Sequence, residues 1–265
     1  MKKILSLILV IALSVFVFAA CGADKTEEKT ADQETQQGEV AEVEETATIK
    51  MATNAAFPPY EYKDGEKFMG IDVEIAGAIA KELGGELEIV DMEFDSIITS
   101  VDKGEVDFGM AGMTVTEERL KEVDFSDSYA TGVQSVIVAE GSSIASLDDL
   151  AGKKIGVQLG TTGDIYSCDD FGEENVTKYG KGADAVIALK GGDVDAVIID
   201  NEPAKAFVSE NEGLKILDTD YAIEDYAIAV KKGNTELLDK INAALEKLTA
   251  DGTIDAIIAE YIKAE

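Results

Sequence analysis

One arginine stands in a chain that otherwise draws its side-chain cations from lysine: Arg119. It follows Gly112-Met113-Thr114-Val115-Thr116-Glu117-Glu118, a stretch that leaves a predicted strand and enters a predicted short helix. Backbone N–H groups and the Thr114 hydroxyl can converge there on one point, and ligands of open α/β sheets sit at the carboxyl ends of the strands. A guanidinium adds a planar fork for a carboxylate, where lysine offers only a point charge. The chemistry is that of an anion clamp. Asp200 ends the apolar run Ala196-Val197-Ile198-Ile199 and offers the opposite charge, for a cation or simply for the start of a helix. Taken singly, Phe57 and Phe94 could be core aromatics, and Thr161 and Thr162 could be helix caps. The chain has no histidine, no Gly-x-Ser-x-Gly elbow and no metal-ligand cluster. Most general-base and metal chemistries therefore lack their groups, no cofactor is implied, and a carboxylic acid such as Glu61 is what remains for acid catalysis.

These side chains need a frame. From residue 48 onward strand-like and helix-like segments alternate, the pattern of an α/β architecture. Residues 48–53 read as a strand, followed by a hairpin around Asp64-Gly65. Asp72 is the expected cap of a helix reaching Leu83, with Val73, Ile75, Ala76, Ile79, Ala80 and Leu83 as its buried stripe. Strands at 87–92 and 106–111 flank a helix capped by Asp95 at the spacing of a βαβ unit, which predicts parallel strands. A short helix at 117–123 and an apolar strand at 133–139 follow. A second cycle opens with a capped turn at 146–152, then a strand at 154–158 and a turn at 159–163. Helix 183–189, strand 196–200, helix 203–210 with Pro203 at its start, and strand 214–217 complete it. Residues 226–230 read as one strand, and 235–248 and 254–262 as amphipathic helices.

Set in order, Phe57-Pro58-Pro59-Tyr60-Glu61-Tyr62, Gly70-Ile71-Asp72-Val73, Phe94-Asp95-Ser96-Ile97-Ile98, the Gly112-to-Arg119 segment, Asp124-Phe125-Ser126-Asp127 and Gly156-Val157-Gln158-Leu159-Gly160-Thr161-Thr162-Gly163 form a recognisable series. From about residue 48 to 265 the chain resembles the periplasmic binding proteins (type II) of polar amino-acid ABC transporters, the glutamine, histidine and arginine binders of solute-binding protein family 3. The resemblance implies a monomer with two α/β lobes, mixed sheets flanked by helices, and two hinge crossover strands, closing on an amino acid like a trap. Lobe 1 would be 48–132 plus 225–265, lobe 2 135–222, and the hinge 133–138 with 224–227. It further implies that Arg119, Thr114 and the Met113 amide hold the ligand α-carboxylate together with Thr161 and Thr162. Asp200 and the Gly112 carbonyl would take the α-ammonium, and Phe57 and Phe94 would sandwich the side chain. Asn54 stands where such binders often carry an acid, and Gln158 where some glutamine binders carry lysine. Two other functions share this outline: a cyclohexadienyl or arogenate dehydratase of the same fold, and a sensory or adhesive surface lipoprotein.

The N-terminus points outward from the cytoplasm. Met1-Lys2-Lys3 precedes an uncharged, mainly apolar stretch to Ala20, the layout of a signal peptide over 1–20. Phe18-Ala19-Ala20-Cys21 resembles the bacterial lipobox, with Phe18 in the place of the usual leucine, and implies a lipidated Cys21 at the outer face of the cell membrane. Residues 21–47, rich in Glu, Thr and Gln, cannot bury enough apolar surface to fold and read as a disordered tether. If Cys21 carries lipid, Cys168 has no intramolecular partner and is expected to be inert. A net charge of -31 excludes nucleic acid as a partner. The expected partners are the amino-acid ligand and the transporter's permease.

Overall fold

The computed structural model describes residues 47–219 and 221–262. The signal peptide, Cys21 and all of the tether but Ala47 lie outside the described residues. Ala47 itself already belongs to the first strand.

The chain runs through strands β1 (Ala47–Thr53), β2 (Ala56–Phe57), β3 (Glu61–Asp64) and β4 (Lys67–Met69), helix α1 (Ile71–Glu82), β5 (Gly85–Asp91), α2 (Ile97–Lys103), β6 (Phe108–Gly109), α3 (Arg119–Glu122) and β7 (Val123–Phe125). It continues with β8 (Ala130–Ala139), β9 (Ile155–Gln158), α4 (Thr162–Phe171), β10 (Val176–Tyr179), α5 (Gly182–Gly191), β11 (Ala196–Asp200) and α6 (Asn201–Glu210). Last come β12 (Leu214–Ile216), β13 (Ala222–Tyr226), β14 (Ala229–Lys231), α7 (Thr235–Ala250) and α8 (Thr253–Tyr261).

Two mixed sheets result. The first has the order β5-β1-β6-β14-β7, the second β10-β9-β11-β8-β12 with β13 also on β8, and β2-β3-β4 form a small meander. Both large sheets are covered on both faces, which is why their strands read as apolar runs. In β1 consecutive side chains serve opposite cores: Met51 packs with Ile75, Ile79 and Leu245 from α1 and α7, while Ala52 packs with Ile97 and Val101 from α2. In the second sheet, Val197 joins Ala185 and Leu189 of α5 and Phe207 of α6, and Ile198 faces Val136, Val138 and Leu150.

The two sheets are joined by a pair of antiparallel segments. Residues 130–134 of β8 pair with 222–226 of β13, and from there the chain passes to β14 of the first sheet. What reads as one strand over 226–230 is therefore two, because its halves find their ladders in different sheets. The expected hinge stretch 133–138 lies mostly within the second sheet, laddered to β11 and β12.

Other expectations shift locally. Strands β5 and β6 are parallel as predicted but have β1 between them, β6 is only two residues long, and α3 is confined to Arg119–Glu122. Helix α6 begins at Asn201, so Pro203 sits inside the first turn, where a missing N–H costs nothing. Asp95 caps nothing: a 3-10 turn, Phe94–Ser96, leads into α2 without a side-chain cap. Nor does Asp72 cap α1. The helix starts at Ile71 with Gly70 as its N-cap residue, and the N–H groups of Ile71 and Asp72 donate to the Pro59 and Tyr60 carbonyls at 3.1 and 2.9 Å. Gly70 has φ 121°, and a Cβ there would lie 2.8 Å from the Pro59 oxygen and closer to that of Tyr60. Only glycine lets the meander backbone supply the cap. The capped turn at Ser146 forms as expected, with Ser146 and Asp149 in a reciprocal capping box.

Candidate functional site

Asn54 follows β1, Gly112 follows β6, Gln158 ends β9 and Asp200 ends β11. The carboxyl ends of strands from both sheets thus converge, as the topology of parallel strands requires, and they surround one cavity. Asn54, Phe57, Phe94, Gly112 and Thr114 line it, as do Arg119, Gln158, Thr161, Thr162 and Asp200. Met113 does not: its side chain is fully buried with Ala52, Phe94 and Ile97 in the core behind. Two further liners, Ala111 and Glu61, were not among the residues expected to bind.

Arg119 is held without being neutralised. Its Nη1 donates to the Thr114 carbonyl at 2.6 Å and its Nη2 to the Gly160 carbonyl at 3.0 Å, and the guanidinium carbon stands 5.3 Å from the centre of the Phe94 ring. The acceptors are neutral. Burial lowers its pKa to about 10, against the pull of Glu224 and Asp200, so the group is charged at neutral pH. A buried cation fixed by dipoles and an aromatic face presents its remaining donors to the cavity.

Asp200 faces it from the second sheet. Its carboxylate accepts the Tyr226 hydroxyl. Burial, with Glu224 adding to it, raises its pKa to about 7. Glu224, on β13, ties its crossing strand to the other and to α4: its Oε2 accepts from Thr162 Oγ1 and from Gln134 Nε2, each at 3.0 Å. No sequence pattern marks Glu224, because its partners come from β8 and α4. The Thr161 hydroxyl caps α4 through the Asp164 N–H at 3.3 Å and donates to the Gln158 carbonyl at 2.8 Å. The plain capping role assigned to that side chain is thus real, and the unpaired first amides of α4 remain for an anion.

Gly112 owes its place to Asp72. The Asp72 Oδ2 accepts the Gly112 N–H and the Tyr129 hydroxyl, both at 2.8 Å. Gly112 adopts φ 52°, and a Cβ there would lie 2.9 Å from the Phe57 ring. Its lack of a side chain lets Phe57 close over the loop. Across the cavity, Gln158 Nε2 donates to Asn54 Oδ1 at 3.0 Å, and Asn54 Nδ2 to the Met92 carbonyl at 2.7 Å. With Arg119 to Gly160, this makes two bonds from the first sheet's loops to the second's. Cys168 is half-buried; burial and the Asp164 carboxylate beside it raise its pKa, which disfavours the reactive thiolate.

Residues 49–264 match the bacterial extracellular solute-binding proteins, family 3. The arginine-binding extracellular protein ArtP of Bacillus subtilis is 34% identical over 275 residues, with 100% of both chains covered. The ABC transporter glutamine-binding protein GlnH of the same organism is 33% identical over 271 residues, covering 100% of this chain and 99% of the other. Among solved structures, an ancestral arginine-binding protein bound to glutamine superposes with a TM-score of 0.78 at 45% identity, covering 82% of this chain and 98% of that one.

Proposed function

The chain belongs to the bacterial extracellular solute-binding proteins, family 3, and from that premise we propose that it captures an L-amino acid with a polar or cationic side chain and delivers it to the permease of an ABC transporter. The observation that carries this is the opposition of Arg119 and Asp200 across one cavity, both buried, the first from helix α3 and the second from the end of β11. A zwitterion leaving water needs both charges paired. Arg119, with the Thr114 hydroxyl and the first amides of α4, would hold the α-carboxylate; Asp200 and the Gly112 carbonyl would hold the α-ammonium. Phe57 and Phe94 would flank the side chain, with Asn54 and Gln158 at its polar end.

Binding is then coupled to closure. A ligand bridging Arg119 and Asp200 is satisfied only when the two sheets approach, so it stabilises the closed arrangement and no other. The lobes would be 48–132 with 225–265, and 135–222. They would move about the paired segments 130–134 and 222–226. The relatives' names, arginine-binding and glutamine-binding, favour a polar or cationic ligand, and a dehydratase role finds no support among them.

A thermal-shift screen of the common L-amino acids and cystine tests the proposal. A true ligand at about a hundred times its dissociation constant adds roughly 2.7 kcal/mol of stability. If no amino acid raises the melting temperature, the proposal fails. Export by residues 1–20 and anchoring through lipid on Cys21 belong to the same proposal. The membrane-fraction protein should begin at Cys21 and carry a diacylglyceryl group by intact mass; an unmodified N-terminus would remove the anchor.

A further inference from the structure

Amino-acid capture by Arg119 and Asp200 leaves one cavity residue without a task. Glu61 is fully buried, lines the cavity, and neither of its carboxyl oxygens has a hydrogen-bond partner among the described residues. A carboxylate so placed is costly unless a charge or donor meets it. The charges that act on it are themselves carboxylates: Asp72 from α1, Asp200 from the end of β11 and Asp91 from the end of β5. The phenols of Tyr60 and Tyr129 face it as well. Lys63, on the same strand, is engaged by Asp91 at 2.6 Å. Asp72 is the acid beside it. One Asp72 oxygen is taken by Gly112 and Tyr129, and the other, Oδ1, is also buried without a partner. Two such acids side by side cannot both ionise cheaply, and one proton between them supplies the missing hydrogen bond.

We propose that Glu61 is the counter-ion of the ligand's side-chain cation, and that it meets that cation by giving up the proton it shares with Asp72, so that capture of a cationic amino acid releases a proton that capture of a neutral one does not. This rests on the cavity being an amino-acid site. The step balances simply: the carboxylic acid becomes a carboxylate, its proton goes to water, and the guanidinium or ammonium of the ligand keeps its charge. Burial and Asp72 together hold the Glu61 carboxyl protonated well above the usual carboxylate range, so the proton is present to be released at neutral pH. A ligand with a neutral amide or urea end can accept a hydrogen bond from the acid instead. Selectivity becomes pH-dependent: cationic side chains gain on neutral ones by up to about tenfold per pH unit as pH rises toward the pair's own pKa. Asp200 also loses a proton to bind an α-ammonium, but it does so for both kinds of ligand, and the comparison cancels it.

The test is isothermal titration calorimetry of the mature protein with L-arginine and with L-citrulline, its neutral isostere, in buffers of different ionisation enthalpy at pH 7. L-glutamine serves as a second neutral ligand. Arginine is expected to release close to one more proton than either neutral ligand. In Glu61→Gln that difference disappears, and the preference for arginine over citrulline falls by about tenfold or more. Equal proton counts for arginine and the neutral ligands in the wild-type protein overturn the proposal while leaving amino-acid capture standing, and that measurement needs no variant to fold. Absence of binding by any amino acid removes the proposed function, and this proposal with it.

Discussion

An Arg119→Ala protein is expected to bind its amino acid roughly a hundred- to several-thousand-fold more weakly than wild type, measured by calorimetry at one pH. The estimate comes from stranding the ligand's carboxylate in a closed cavity, which costs about 3–5 kcal/mol when a buried pair loses one member. Arg119 is itself buried, and its contacts explain why the loss falls on binding more than on folding. The guanidinium donates to the carbonyls of Thr114 and Gly160 and stacks over Phe94, while Glu224 and Asp200 act on it through space. Its charge is therefore kept in reserve for an anion. Arg119→Lys separates charge from shape: an ammonium restores the charge but cannot bridge two carbonyls and also present a fork to a carboxylate. It should recover only part of the loss. Wild-type affinity in Arg119→Ala would move the carboxylate site elsewhere, and full recovery by lysine would show that geometry is not what the site selects.

Arg119 is legible in the sequence because its type is unique in the chain and it follows a strand end. The long apolar strands were legible for a related reason: strands covered on both faces, such as β11 as far as Ile199, must be apolar along their buried length. What stayed hidden depended on partners far along the chain. Helix α4 carries the sequence Thr-Gly-Asp-Ile-Tyr-Ser-Cys-Asp-Asp-Phe, with too few apolar residues for a helical stripe. It forms because Thr161 caps it and because it packs on β9, β10 and β11. Asp72 looks like a cap from its neighbours and is instead the acceptor that fixes Gly112, forty residues on. Glu61, noticed only as a possible acid, acquires meaning from Asp72 beside it and from the cavity it lines. Local chemistry announces charges and turns; the pairing of buried acids belongs to topology.

Asp200 carries the second large effect, and here binding and stability should move in opposite directions. Its pKa is about 7 in the folded protein against an ordinary aspartate's 3.8, chiefly because it is buried. The folded state therefore binds this proton more tightly than the unfolded state does. Between those two values the unfolded chain has already released the proton, so the stability contributed by Asp200 falls as pH rises through the window, by up to roughly 4 kcal/mol. Asp200→Asn removes the titration while keeping an oxygen for the Tyr226 hydroxyl. In urea unfolding of the ligand-free protein, the stability of the variant relative to wild type should be greater at pH 8 than at pH 5, whatever the amide does to packing. Binding should suffer instead, by about a hundred-fold at pH 8, since the α-ammonium loses its counter-ion. Wild-type affinity for a neutral-side-chain amino acid should itself weaken about tenfold per pH unit below 7, because the ammonium must then displace a proton. A relative stability that does not change between pH 5 and 8 would show that Asp200 is already ionised in the free protein. Undiminished binding by Asp200→Asn would place the ammonium elsewhere. The sign of both effects follows from one circumstance: the free protein holds a buried acid whose partner arrives with the ligand.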